Sequence, residues 1–99
     1  MGGMRFEWDD DKAAGNEVSH GVSFEDARWV FTDPFAVEDY DAAHSAEEDR
    51  FQRIGLAQGK LVTVIYTMRS AETEEETYRL ISAWPATPEE RKLYEEGED

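Results

Sequence analysis

The chain has 99 residues, 39% hydrophobic and 12% aromatic, with no cysteine; this allows one domain (1–99) with one modest core and excludes disulfides, thiolate metal sites and a thiol nucleophile. Ten Lys and Arg stand against 24 Asp and Glu, a formal net charge of −14 that repels nucleic acid at long range and favours a basic partner, or simply keeps the chain soluble. Half of that excess lies in residues 70–99, with ten acids and three bases, so the rest of the surface has room for a local basic patch.

In chain order, "FEW" (6–8) reads as a short strand. Residues 8–21 read as a helix, with Asp9 as N-cap, acids in the first turn and Gly21 as the stop. Gly15 in its middle costs up to about 1 kcal/mol relative to alanine, so this helix depends on packing. Ser23 starts a second helix whose apolar face is Phe24, Ala27, Val30 and Phe31; Pro34 ends it by disfavouring helix at Asp33.

"FAVEDY" (35–40) is predicted to be an exposed strand, 41–49 a polar loop, and "RFQRIGLA" (50–57) the next strand. Gln58-Gly59 signal a tight turn into "KLVTVIYTM", which is apolar at both parities and reads as a central strand. "RSAETEEE" (69–76) reads as an acidic hairpin loop and "TYRLISAW" (77–84) as the last strand. Thr87-Pro88-Glu89-Glu90 then open a helix to about Glu96, with an N-cap, a proline at N1 and a glutamate at N3. Residues 1–4 and 97–99 read as loose ends. The order predicts an α+β domain: a short strand, two helices, a four-stranded antiparallel meander and a C-terminal helix. The longest apolar run falls far short of the roughly 20 residues of a membrane helix, and "MGGMRF" has no signal-peptide core or myristoylation pattern. A cytoplasmic protein without membrane contact is expected.

His20 and His44 are the only imidazoles and show no metal-ligand spacing with a carboxylate, so no metal or other cofactor is expected. His20 suits a helix C-terminus as a capping or packing residue, or it is catalytic. His44 sits in a polar loop. Arg50, Arg53, Arg69 and Arg79 lie in or at the ends of strands. Gathered on one face, they could stabilise the charge on a phosphorane during RNA cleavage without a metal. The alternative is cross-strand pairing with Glu38, Asp39 or Glu48. Strict alternation would put Arg79 with Ile81 and Ala83, and Trp84 with Tyr78 and Leu80. Trp84, just before Pro85, reads as core, as a binding platform, or as a replacement for a residue with a chemical role.

Residues 6–27, "FEWDDDKAAGNEVSHGVSFEDA", resemble the N-terminal signature of the BrnT toxin family, F-x-W-D-x-x-K followed by N-x-x-K-H-G-V-S-F-x-x-A. Phe6, Trp8, Asp9, Lys12, Asn16, His20, Gly21, Val22, Ser23, Phe24 and Ala27 match it. "YRLISAWPATPEERKLYEE" resembles the family's closing pattern through Arg79, Ile81, Ser82, Ala83, Ala86, Thr87, Glu90, Arg91, Tyr94 and Glu95, and "RFQRIGLAQGKLVTVIYTMR" its middle hairpin, including Arg69. The resemblance implies a RelE-like fold and a type II toxin–antitoxin role. The expected activity is a ribonuclease that inhibits translation, neutralised by a BrnA-type antitoxin. DNA would be reached only through that antitoxin. It further implies that Arg69 and Arg79 stabilise charge, that His20 or Lys12 assists proton transfer, and that Trp8 and Arg53 contact RNA; Trp84, by its own chemistry, could bind RNA by stacking a base but cannot neutralise a phosphate. Two positions depart from the pattern: the lysine of K-H-G is Ser19 and the arginine of I-S-A-R is Trp84. Both remove a cation, which also allows a second expectation: a catalytically weakened BrnT fold that serves as an antitoxin-binding or regulatory module. A plain acidic interaction domain unrelated to RNA is a third. The acidic surface predicts an antitoxin with a basic contact face.

Overall fold

The computed structural model describes residues 4–46, 48–70 and 76–97. Most of the expected acidic loop and of the two ends therefore lies outside the described residues.

The first strand, β1 (Met4–Glu7), stops short of Trp8. Helix α1 (Asp10–His20) begins where the Asp9 carboxylate accepts from Lys12 N at 3.1 Å. It ends at Gly21, whose left-handed φ of 73° lets its N–H reach Glu17 O at 2.8 Å. The expected second helix is a single α turn, α2 (Phe24–Ala27), capped by Ser23 Oγ, that tightens into a 3-10 turn over Arg28–Thr32. Strands β2 (Val37–Tyr40), β3 (Phe51–Ala57), β4 (Lys60–Ser70) and β5 (Glu76–Pro85) follow, then α3 (Pro88–Gly97). Between β3 and β4, Gln58 and Gly59 both take positive φ (51° and 83°), as a tight hairpin turn requires. The Thr87–Glu90 capping box forms in both directions, at 3.2 and 2.8 Å.

The fold is α+β, with a five-stranded mixed sheet in the order β1-β5-β4-β3-β2. The pairs β2–β3, β3–β4 and β4–β5 are antiparallel, and β1 joins as a fifth strand, parallel to the first part of β5. On one face, Phe24, Ala27, Val30 and Phe31 pack onto Val62, Val64, Tyr66, Leu80 and Ala83. On the other, α3 covers one corner, where Tyr94 meets Ile54 and Leu61.

One irregularity overturns an expectation about Trp84. Ile65 pairs with Ser82 but Tyr66 pairs with Leu80, so Ile81 is an extra residue in β5. This β-bulge reverses the alternation beyond it. Leu80 and Ala83 both enter the core under α2, while Arg79, Ser82 and Trp84 share the opposite face. Trp84 therefore does not lie with Tyr78 and Leu80, and Ala83 does not lie with Arg79.

Candidate functional site

The face of the sheet away from α2 carries a basic cluster at its β1–β5–β4 corner. The register places Glu7 opposite Arg79, Arg79 opposite Thr67, and Thr77 between Arg5 and Arg69. One oxygen of Glu7, Oε1, faces both arginines: Arg69 Nε lies 3.3 Å away and Arg79 NH1 3.4 Å. The side chains remain open to solvent, 57% for Arg69 and 31% for Arg79, so the ion pairs are screened and individually weak. Two guanidinium groups are thereby held around one anionic oxygen without being buried.

Next to this cluster a groove of about 370 Å³ crosses the strands, with Ile65 and Ile81 as apolar lining and Asp41, Arg50, Gln52, Ser82 and Trp84 around it. Trp84 is held by its indole Nε1–H, which donates to both carboxylate oxygens of Glu90 at 3.0 and 3.3 Å. Glu90 Oε1 also accepts from Thr63 Oγ1 at 2.9 Å, so the α3 cap and the indole share one anchor. The His20 ring lies 6.2 Å from the Trp84 ring, tilted by 52°. Arg50 reaches Glu48 at 3.8 Å, and its buried Nε has no hydrogen-bond partner.

Helix α1 runs along the part of the β5 edge that β1 leaves uncovered. Its buried Asn16 acts like a strand there: Nδ2 donates to Ala83 O at 2.8 Å and Oδ1 accepts from Ala83 N at 3.0 Å. The same Nδ2 donates to Val22 O at 3.0 Å, tying the turn after α1 to the sheet. Lys12 and His20 lie one helical step of four on either side of Asn16 and so share its side of the helix.

The structure thus brings Arg69, Arg79 and Trp84 to one face, with His20 beside Trp84 and Lys12 placed by helical spacing on the Asn16 side of α1. It does not bring Arg53 or Trp8 there. Arg53 lies on the opposite face because it is paired with the core residue Val64. Its guanidinium sits 5.2 Å over the Phe31 ring and pairs with Glu38 at 3.2 Å. Glu38 also accepts from the Tyr66 hydroxyl; burial and this carboxylate push the Tyr66 phenol well above its usual range. Trp8 follows β1 and packs edge-on against Phe24, lining a separate pocket with Glu17 and Glu25. His44 ends a 3-10 turn over Ala42–His44. Sequence reasoning assigned no role to Glu7, Arg5 or Asn16. An asparagine in the middle of a helix, where it is a poor former, is the one local signal among them.

Among the described residues no group of three His, Asp or Glu converges to hold a metal ion, and no helix is long and apolar enough to cross a membrane. The chain matches the family described as "Ribonuclease toxin, BrnT, of type II toxin-antitoxin system" over residues 8–90, a span that includes Arg69, Arg79, Trp84 and Glu90. No curated protein matches it.

Proposed function

The chain belongs to the BrnT family of ribonuclease toxins of type II toxin-antitoxin systems, and from that premise we propose that it is a metal-independent endoribonuclease working on the exposed face of its sheet. The ribose 2′-hydroxyl attacks the adjacent phosphorus, and its proton passes to a base. The 5′-oxygen leaves with a proton, giving a 2′,3′-cyclic phosphate and a new 5′-hydroxyl end. The observation that supports this most is the Glu7 contact: Arg69 and Arg79 already converge on one anionic oxygen, as they would on a non-bridging phosphate oxygen. Such paired guanidinium groups stabilise the extra charge of the phosphorane. His20 and Lys12, on the α1 row beside β5, carry the proton transfers. Trp8 and Arg53 lie off this face and take no part in the chemistry.

By the same resemblance the fold is RelE-like, the outcome is inhibition of translation in the cytoplasm, and the neutralising partner is a BrnA-type antitoxin with a basic contact face. Purified protein should cleave RNA, and Arg69→Ala should lose that activity. No cleavage above the variant's background would sink the proposal.

A second reading is favoured by one position. Trp84 stands where the family pattern carries an arginine, and its Nε1–H is tied to Glu90 rather than offered to a phosphate. With Ser19 also replacing a lysine, the chain would retain the fold and the antitoxin contact but cleave RNA weakly. Harmless expression without the antitoxin would support this reading; growth arrest would reject it.

A further inference from the structure

We propose that the groove beside Trp84 is a subsite for one unpaired nucleobase of single-stranded RNA. The proposal rests on the ribonuclease reading above.

Three features carry it. The first is shape: a groove of about 370 Å³, in the range of small-molecule sites, lies on Ile65 and Ile81. Ile81 belongs to this groove at the β-bulge, where the register shifts between Ile65 and Tyr66. The second is the wall. Glu90 holds the indole of Trp84 by its only polar atom, so the ring is fixed at no cost to its flat surface. Bases stack on such fixed aromatic rings, and every base has a face to offer. The third is polarity. Gln52 lines the groove with an amide, both donor and acceptor, that has no hydrogen-bond partner among the described residues, and Ser82, Arg50 and Asp41 add further polar groups around it. A base edge carries donors and acceptors that can pair with such a lining.

Position relative to the cations argues for RNA rather than a protein side chain. Arg79 lies opposite Thr67, and Thr67 is the next residue after Ile65 on this face. Two strand residues span roughly 7 Å. A nucleotide whose base lies on Ile65 and Ile81 therefore sets its phosphate toward Arg79 and Arg69. Asp41 lines the groove and Glu7 sits between the two arginines, so this strip carries both signs of charge, and its guanidinium groups are where a phosphate is favoured on a chain of net charge −14. Exchanging the family arginine for Trp84 trades a charge for a stacking surface at one end of the strip.

The test uses the full chain with a 2′-O-methyl adenosine hexamer, which cannot be cleaved, and an abasic hexamer of the same backbone. The Trp84 indole N–H resonance, identified among the three tryptophans by its loss in Trp84→Phe, reports on the groove. The adenosine hexamer should move that resonance and the abasic one should not. Trp84→Leu should weaken the adenosine hexamer about 5- to 100-fold and leave the abasic hexamer unchanged. Gln52→Ala, at a position whose backbone alone pairs in the sheet, should weaken it about 2- to 10-fold. Equal losses for both hexamers in both variants would overturn the subsite, as would a Trp84 signal that answers an antitoxin but not RNA. If the wild type cleaves RNA but these ratios stay flat, only the subsite falls. If it neither binds nor cleaves RNA, the ribonuclease reading falls first and takes the subsite with it.

Discussion

Asn16 closes the free edge of β5 by bonding both the N–H and the C=O of Ala83, 67 residues away in sequence. An exposed strand edge is thereby completed by one side chain, and α1 is fixed against the candidate site. Asn16→Ala should lower unfolding stability by about 2–4 kcal/mol, because buried backbone groups of Ala83 and Val22 lose their partner. Asn16→Asp should do at least as much harm: it removes the Nδ2 donor and sets a carboxylate against two carbonyl oxygens. Chemical denaturation midpoints check this. An unchanged midpoint in both variants would mean that the edge finds another partner.

The relation of sequence to fold divides along the same line. The caps at Asp9, Gly21, Ser23 and Thr87–Glu90 were legible because each is settled within four residues of chain. The face on which Trp84 lies was not, because the bulge at Ile81 is defined only against β4. The same holds for Arg53, whose face depends on its pairing with Val64, and for Glu7, whose role follows from a parallel pairing between the two ends of the chain. Of the arginines, Arg69 and Arg79 could be picked out by motif, but what joins them is a carboxylate that local reasoning had no cause to consider.

Glu7 competes with phosphate for the two arginines. Glu7→Gln should remove that competition and tighten RNA binding about 2- to 5-fold at low salt, with the gain shrinking as salt rises. Because the pairs are solvent-exposed, unfolding stability should change by less than about 1 kcal/mol. A loss of RNA affinity would mean instead that Glu7 orients the arginines rather than occupying their place.

Asp33 makes folding sensitive to acid. Burial raises its pKa, but hydrogen bonds from Leu56 N, Phe35 N and the Tyr94 hydroxyl, with the nearby Arg53, outweigh burial and hold the carboxyl below its ordinary value of 3.8. A depressed folded-state pKa contributes stability above the unfolded value and loses it as pH falls through the folded one. Wild-type stability should therefore decline below about pH 4, and part of that decline should vanish in Asp33→Asn. Asp33→Asn should be less stable near neutral pH, where the carboxylate makes its bonds at 2.7–2.9 Å. Urea unfolding across acidic pH tests the slope; parallel curves for the two proteins would exclude Asp33 as the source.

A chain of net charge −14 should attract the basic contact face proposed for its antitoxin. Association should slow and affinity should fall as added salt shortens the Debye length from about 30 Å at about 0.01 M to about 3 Å at about 1 M. Affinity that does not respond to salt would point to an apolar contact, and isothermal titration at several salt concentrations distinguishes the two.

Trp84→Arg returns a cation to the position where the family pattern carries one. The bulge aims this position at the same face as Arg79, and Glu90, which now accepts from the indole, can equally accept from a guanidinium. The variant should therefore fold as well as the wild type and add a third positive group on this face, four strand residues, roughly 13 Å of backbone, from Arg79 and within reach of an RNA strand that lies along the strip. A well-placed cation in such a site changes rates by about 10²–10³-fold. A gain of about 10-fold or more in RNA cleavage, with stronger growth arrest when the antitoxin is absent, is the expected result. The gain should come with weaker discrimination between the adenosine and abasic hexamers, since the guanidinium offers less stacking surface than the indole. Cleavage that stays at the wild-type level in a variant that folds normally would show that the phosphate lies out of reach of position 84, and that the substitution of tryptophan there concerns base binding alone.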